Sequence, residues 1–216
     1  MKKLIPLTLL LLTIGLFAQG QNIRFNAYGL YTFQDQISYY YSSYDFYEST
    51  IEEGLTWGGG LEFETSPTTS VELLYLREDV TAPTNYSLGT IYPEYSEFDV
   101  DLNYMMLGGI RRMQKPGSPV EGFGGFMAGC FWGHATDPES GESGSTTNFA
   151  WGLKLGVNIW ASEKVALKLM GQMLSPVQAM GGGLYFGTGG ASAGVSTYST
   201  MYQWSLGGGL SFKMGK

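Results

Sequence analysis

The segment "NFAWGLKLGVNIW", residues 148–160, alternates with a period of two. Phe149, Trp151, Leu153, Leu155, Val157 and Ile159 share one face. Asn148, Ala150, Gly152, Lys154, Gly156 and Asn158 share the other. A helix would scatter both sets around its circumference, whereas a pleated strand keeps them apart. About ten residues of such alternation is the length that a tilted strand needs to cross a bilayer.

The pattern recurs along the chain. At about 23–33, Ile23, Phe25, Ala27, Tyr31 and Phe33 oppose Arg24, Asn26, Tyr28 and Thr32. At about 54–64, Leu55, Trp57, Leu61 and Phe63 oppose Thr56, Gly58, Gly60 and Glu62. At about 70–78, Val71, Leu73 and Tyr75 oppose Glu72, Leu74 and Leu76. At about 98–112, Val100, Leu102, Tyr104, Met106 and Ile110 read as the apolar face, against Asp99, Asp101, Asn103 and Arg111. The stretch at about 119–133 is apolar or glycine on both faces. At about 165–174, Val165, Leu167, Leu169 and Met173 oppose Lys168, Met170 and Gln172. At about 200–213, Tyr202, Trp204, Leu206, Leu210 and Phe212 oppose Gln203, Ser205 and Ser211.

These segments make eight strands, and their connections alternate in length. "TSPTT", "MQKPGS" and "SEK" are short, while 34–53, 79–97, 134–147 and 175–199 are long. Short turns at one end and long loops at the other characterise outer-membrane barrels. Within lipid every backbone N–H and C=O must be paired inside the protein, so the sheet must close. The expected fold is therefore all-β, an eight-stranded antiparallel transmembrane β-barrel. Both termini and the short turns lie in the periplasm, the long loops outside. Tyr31, Phe33, Trp57, Phe149, Trp151, Tyr202 and Trp204 are expected in the outer aromatic girdle, Phe63 and Phe212 in the inner one.

The first twenty residues carry Lys2 and Lys3, an apolar run from Leu4 to Phe17, and small residues at Ala18 and Gly20. This is the pattern of a cleaved secretory signal peptide, with cleavage after Ala18 or Gly20. Residues 21–216 then form the barrel domain. The remaining chain has 10 Lys and Arg against 19 Asp and Glu, a net charge of −9. A nucleic-acid partner is disfavoured, because such binders are basic. With one cysteine, Cys130, and one histidine, His134, neither an intrachain disulfide nor a Cys/His metal site is available. No cofactor and no metal site are expected.

An eight-stranded barrel is just wide enough inside for side chains to fill it. On the faces assigned above, the interior receives Arg24, Glu62, Glu72, Asp99, Asp101, Arg111, Lys154 and Lys168. Charges held away from water must be paired. The expectation is a buried ionic network that plugs the barrel, with a charged permeation path as the alternative.

The long loops contain eleven Asp and Glu and no Lys or Arg. They could hold divalent cations bridging to lipopolysaccharide, or they could simply be a solvated surface. The tyrosine-rich "QISYYYSSYDFYEST" suits either ligand recognition or an extension of the girdle. His134 lacks a Ser–His–Asp arrangement and reads as a rim residue. Cys130 reads as a small apolar strand residue. The glycine run "GGGLYFGTGGASAGVS", residues 181–196, is followed by no helix and has no Lys, which excludes a nucleotide-binding loop. It reads as most of the longest external loop, a turn-rich cap that either extends the last hairpin above the membrane or folds over the barrel mouth.

"SVELLYLRED" at 70–79, "LGGIRR" at 107–112, "EKVALKLMGQMLSPVQAMGGGLYFGTGG" at 163–190 and "QWSLGGGLSFK" at 203–213 resemble small outer-membrane barrels of the OmpA/OmpW-like superfamily. They are most similar to the porin-family-like "outer membrane protein beta-barrel domain" type of Bacteroidetes. The resemblance implies an outer-membrane location and a non-enzymatic structural or surface-interaction role. A narrow porin or carrier for small or hydrophobic solutes is the alternative, and a lipid-A-modifying enzyme is disfavoured. The implied partners are outer-membrane lipid, lipopolysaccharide and, during insertion, the barrel-assembly machinery. The final strand resembles the signal which that machinery reads, with Ser205, Gly207, Leu210 and Phe212 in the matching positions.

Overall fold

The computed structural model describes residues 22–40, 45–88, 94–177, 183–187, 190–194 and 201–214. The expected signal peptide, residues 1–20, lies outside them, as do residues 181, 182, 188, 189, 195 and 196 of the glycine run. All regular structure among the described residues is strand.

Eight strands close into one antiparallel ring. They are β1 (Ile23–Thr32), β4 (Gly54–Ser66), β5 (Thr69–Leu88), β6 (Glu94–Gln114), β7 (Val120–Thr136), β8 (Ser143–Trp160), β9 (Val165–Val177) and β12 (Gln203–Met214). Each pairs with the next, and β12 returns to β1, with Ile23 opposite Met214 and Thr32 opposite Ser205. Closure satisfies the backbone groups that an open edge would leave unpaired in lipid.

The short turns and both ends of the ring lie together. The β6–β7 turn shows why it is tight. Pro116 fixes one corner and Gly117 takes the next with φ 78°, and the Ser118 N–H donates to the Lys115 carbonyl at 3.0 Å.

The outward face is apolar around the ring. Leu55, Trp57, Leu61, Leu73, Leu107, Phe126, Leu153, Leu155, Leu169, Trp204 and Leu206 are all exposed. So much exposed apolar surface would be untenable in water and is the normal state of a wall facing lipid. Tyr31, Phe33, Trp57, Phe149, Tyr202 and Trp204 lie exposed toward the long-loop end, where the outer girdle was expected. Trp132 adds to them, stacked on Tyr75 with ring centroids 6.1 Å apart.

The long connections are more regular than the sequence reading expects. β5 and β6 run on through most of 79–97, paired from Asp79 opposite Asp101 to Tyr86 opposite Glu94. The first long loop folds as a hairpin of β2 (Asp35–Tyr40) and β3 (Asp45–Ile51), and β3 pairs with the upper part of β5. This hairpin adds to the wall above the membrane and leaves the ring at eight strands. The glycine run contains β10 (Gly183–Gly187) and β11 (Gly190–Gly194), which pair only with each other and pack beside β8 and β7.

Candidate functional site: the barrel interior

The inward rows of the ring divide the interior into two regions. Toward the short turns it is ionic; toward the loops it is mainly apolar.

Arg24 on β1 is the hub of the lowest layer. Its Nη1 donates to Glu121 Oε1 at 2.7 Å and its Nε to Glu64 Oε1 at 2.7 Å. Arg112 on β6 donates to the same Glu64 oxygen at 2.6 Å and lies 3.9 Å from Glu62. Asn158 donates to Glu121 at 2.8 Å. Arg24 and Lys213 also lie over the Trp160 ring, 5.0 and 4.0 Å from its centre, where the ring quadrupole attracts them.

One layer up, Glu72 on β5 is fully buried and ion-paired with Lys154 on β8. It also accepts from the Tyr28 hydroxyl at 2.5 Å and from Asn26 Nδ2 at 2.7 Å. Glu62 on β4 accepts from Ser70 Oγ at 2.6 Å and from Asn26 at 3.2 Å. Lys168 on β9 makes no ion pair among the described residues. Its ammonium lies 4.3 Å from the centre of the Phe123 ring and 5.6 Å from that of Tyr28. Gly60 makes room for this cluster, because a Cβ there would come within 2.9 Å of Glu72 Cδ.

Glu62, Glu64, Glu72 and Glu121 face Arg24, Arg112, Lys154 and Lys168, drawn from seven of the eight ring strands.

Higher up, Leu30, Leu74, Leu76, Leu102, Tyr104, Met106, Met127, Phe131 and Leu174 form a continuous apolar core. A polar strip runs beside it. Thr32 Oγ1 lies 2.5 Å from Thr56 Oγ1 and 2.9 Å from Ser205 Oγ. Gln203 donates to the buried carboxylate of Glu78 at 3.1 Å and accepts from the Tyr104 hydroxyl.

Of the residues expected inside, Arg24, Glu62, Glu72, Lys154 and Lys168 lie buried together. Asp99, Asp101 and Arg111 do not, which corrects the face assigned to that strand. Asp99 and Arg111 are exposed on the outer wall, and Asp101 is half-buried there, accepting from Asn103 at 2.7 Å. The inward row of β6 is Val100, Leu102, Tyr104, Met106, Ile110 and Arg112. The cause is that β6 is apolar on both faces: its inner row packs on the core, while Met105 and Leu107 face lipid. Period two alone does not say which apolar row meets lipid.

Arg112, Glu64 and Glu121 are interior charges that the sequence reading does not single out, and Tyr104, which it sets on the outward apolar row, points inward. Arg112 is the neighbour of Arg111, so either phase of β6 puts one arginine inside. In the final strand, Ser205 points inward, Leu210 faces lipid, and Phe212 stacks on Phe25 with ring centroids 6.4 Å apart. His134 is exposed, with Thr136 Oγ1 3.4 Å from its Nε2. Cys130 is an exposed free thiol on the outer wall.

A closed eight-stranded ring, a lipid-facing apolar wall, an aromatic girdle toward the loops and an inward face carrying an ionic cluster below an apolar core are the fold of a small outer-membrane β-barrel. Solved outer-membrane proteins share this fold. The chain resembles Neisserial surface protein A with a TM-score of 0.59 at 13% identity, covering 90% of this chain and 97% of that one. It resembles the outer membrane protein OprG from Pseudomonas aeruginosa with a TM-score of 0.58 at 10% identity, covering 91% and 97%. No protein-family model matches the chain, and no curated protein matches it in sequence.

Proposed function

We propose that this protein is a non-enzymatic integral outer-membrane barrel whose lumen is closed and whose work is structural or done at the cell surface. The buried ionic cluster of Glu62, Glu72 and Glu121 with Arg24, Arg112 and Lys154, joined by the half-buried Glu64, carries the reading. Such a cluster is stable only when each charge keeps its partners, so it resists being opened by a passing solute. The apolar core above it leaves a second layer to cross. On this reading the partners are the bilayer lipids, with lipopolysaccharide in the outer leaflet. During insertion, the assembly machinery reads Ser205, Gly207, Leu210 and Phe212.

The test is single-channel recording of the purified barrel in planar bilayers. No stable conductance step is expected. Reproducible steps from the monomer would overturn the closed-lumen reading in favour of a narrow pore.

A further inference from the structure

Glu78 on β5 is a fully buried carboxylate that stands outside the ionic layer. It lies opposite Thr56 on β4, next to the rung where Trp57 faces Arg77, and so at the level of the outer girdle. Gln203 Nε2 donates to its Oε2 at 3.1 Å, while its Oε1 has no hydrogen-bond partner among the described residues. A Cβ at Gly54, two residues from Thr56 toward the loops, would come within 3.1 Å of Oε1, so that oxygen sits on the loop side of the carboxylate. Three hydroxyls continue from Thr56 across β4, β1 and β12. Thr32 Oγ1 lies 2.5 Å from Thr56 Oγ1 and 2.9 Å from Ser205 Oγ. Each of these oxygens keeps acceptor capacity beyond those contacts.

Glu62, Glu64, Glu72 and Glu121 each have an arginine or lysine partner, and Glu78 has none among the described residues. The chain has none to give it. Apart from Lys2 and Lys3, ten Lys and Arg are present. Four lie in the ionic layer, and Arg77 and Arg111 are on the outer face. Lys115, Lys164, Lys213 and Lys216 belong to the short turns and the C-terminal end. The long connections contain no Lys or Arg at all. The other titratable groups at this end supply no positive charge. Tyr104 on β6 gives its hydroxyl to Gln203 Oε1, and Asp35 on β2 is an acid that accepts from the Tyr202 N–H at 2.9 Å. Asp79 is paired with Arg77, and His134 is exposed on the outer wall. A buried carboxylate without a counter-charge is strongly destabilising, so its neutralisation comes from outside the chain.

We propose that Glu78 Oε1 and the hydroxyl oxygens of Thr56, Thr32 and Ser205 hold a monovalent metal cation of the sodium class, which enters from the loop side. Carboxylate and hydroxyl oxygens are the ligands that hard cations take. One carboxylate among neutral oxygens balances a single positive charge, whereas a divalent ion would leave buried charge in excess. Gln203 fixes the carboxylate by holding its second oxygen. The site ties β1, β4, β5 and β12 together below the loops, and it stands whether or not the lumen conducts.

Equilibrium urea unfolding of the full barrel in zwitterionic vesicles tests it. Sodium chloride is exchanged stepwise for N-methylglucamine chloride at constant ionic strength and mildly alkaline pH. Because the ion binds only the folded ring, the wild-type folding constant is expected to rise about tenfold for each tenfold rise in sodium above the dissociation constant. Glu78→Gln should abolish this dependence. Thr56→Val, which keeps the shape and removes one ligand, should move its onset to higher sodium and carries the test if Glu78→Gln does not fold. Asp79→Asn, on the outer face, should keep the wild-type dependence. Wild-type stability indifferent to sodium would overturn the proposal, and so would an unchanged sodium dependence in Glu78→Gln or Thr56→Val. Stability indifferent to sodium that rises as pH falls in wild type but not in Glu78→Gln would also overturn it, and would assign the neutralisation to a proton.

Discussion

Replacing Glu72 with Gln removes one charge from the centre of the ionic cluster and almost no volume. Glu72 is fully buried, ion-paired with Lys154, and hydrogen-bonded by Tyr28 and Asn26. After the change, four buried cations face three carboxylates, Glu62, Glu64 and Glu121. Removing one partner of a buried pair costs about 3–5 kcal/mol, because the other charge stays buried and uncompensated. Gln keeps one carbonyl oxygen for Asn26 or Tyr28, which places the expected loss near the lower limit, about 3 kcal/mol. That is roughly a hundredfold change in the folding equilibrium. Lys154→Met combined with Glu72→Gln restores the balance at three against three. The double variant is expected to recover most of the loss, with a coupling of about 2 kcal/mol between the two sites. The assay is equilibrium urea unfolding in phospholipid vesicles followed by tryptophan emission, since Trp57 and Trp204 face lipid only in the folded ring. A loss below about 1 kcal/mol for Glu72→Gln would refute the buried-charge argument, as would single losses that simply add in the double variant.

Other outcomes follow from the wall and the loops. Leu155, 69% exposed, faces mid-membrane lipid, so Leu155→Arg should cost about 2–4 kcal/mol. Tyr95, 58% exposed above the girdle, should accept Arg with little change in the same unfolding assay; equal costs would contradict the assigned membrane band. Cys130 lies on the outer wall opposite Met105 and Phe149, so in vesicles an uncharged maleimide should label it and a sulfonated one should not. Rapid labelling by the sulfonated reagent would place the thiol in water. Carboxyl titrations by NMR in micelles should separate two loop residues. Asp35 should titrate above the ordinary carboxylate range, because burial disfavours its charged form, partly offset by the Tyr202 N–H. Asp137 should titrate below it, because the backbone N–H of Glu139 and the Ser140 hydroxyl donate to the ionised form. The sign for stability follows: the Asp137 contribution is present above its unfolded pKa and is lost as pH falls, whereas ionisation of Asp35 is a cost that grows as pH rises. The reverse order of titration would refute both assignments.

Most of the ring was legible because its strands have unlike faces. β1, β4, β5 and β8 pair an apolar outward row with an inward row carrying Arg24, Glu62, Glu72 and Lys154, so period and phase are read together. β6 has unlike neighbours but like faces, so its period is plain and its phase is not. The extracellular extensions were hidden for a related reason. Above the membrane the outward row must be polar, and apolar side chains move to the inward row. In β5 this change falls near residue 80, where Ala82 and Tyr86 are buried and Pro83 and Asn85 sit on the other face. A search for an outward apolar row stops there although the strand continues. Glu121 was obscured by the glycines around it, which leave β7 without a readable polar face. The apolar core was missed because the argument from barrel width requires the interior to be filled but does not say with what.

The division of the interior also bears on how the fold specifies itself. Filling the lumen with apolar groups avoids the desolvation cost of buried charge. A strand apolar on both faces, however, is an aggregation hazard before it is inserted, and β6 and β7 approach that limit. The charged inner rows of β1, β4, β5 and β8 reduce it elsewhere. They do so with partners far apart in the chain: Arg24 and Glu121 are separated by 97 positions, Lys154 and Glu72 by 82. No single hairpin can satisfy such charges. They are neutralised only when the ring closes in the native register, and a one-residue slip of a strand turns its charge out toward lipid. The ionic layer thus penalises misregistered or open barrels more than it stabilises the correct one. Glu72→Gln with Lys154→Met should then keep near-normal stability once folded yet insert with more off-register products, visible as slower or incomplete conversion to the compact, heat-modifiable band on unboiled gels.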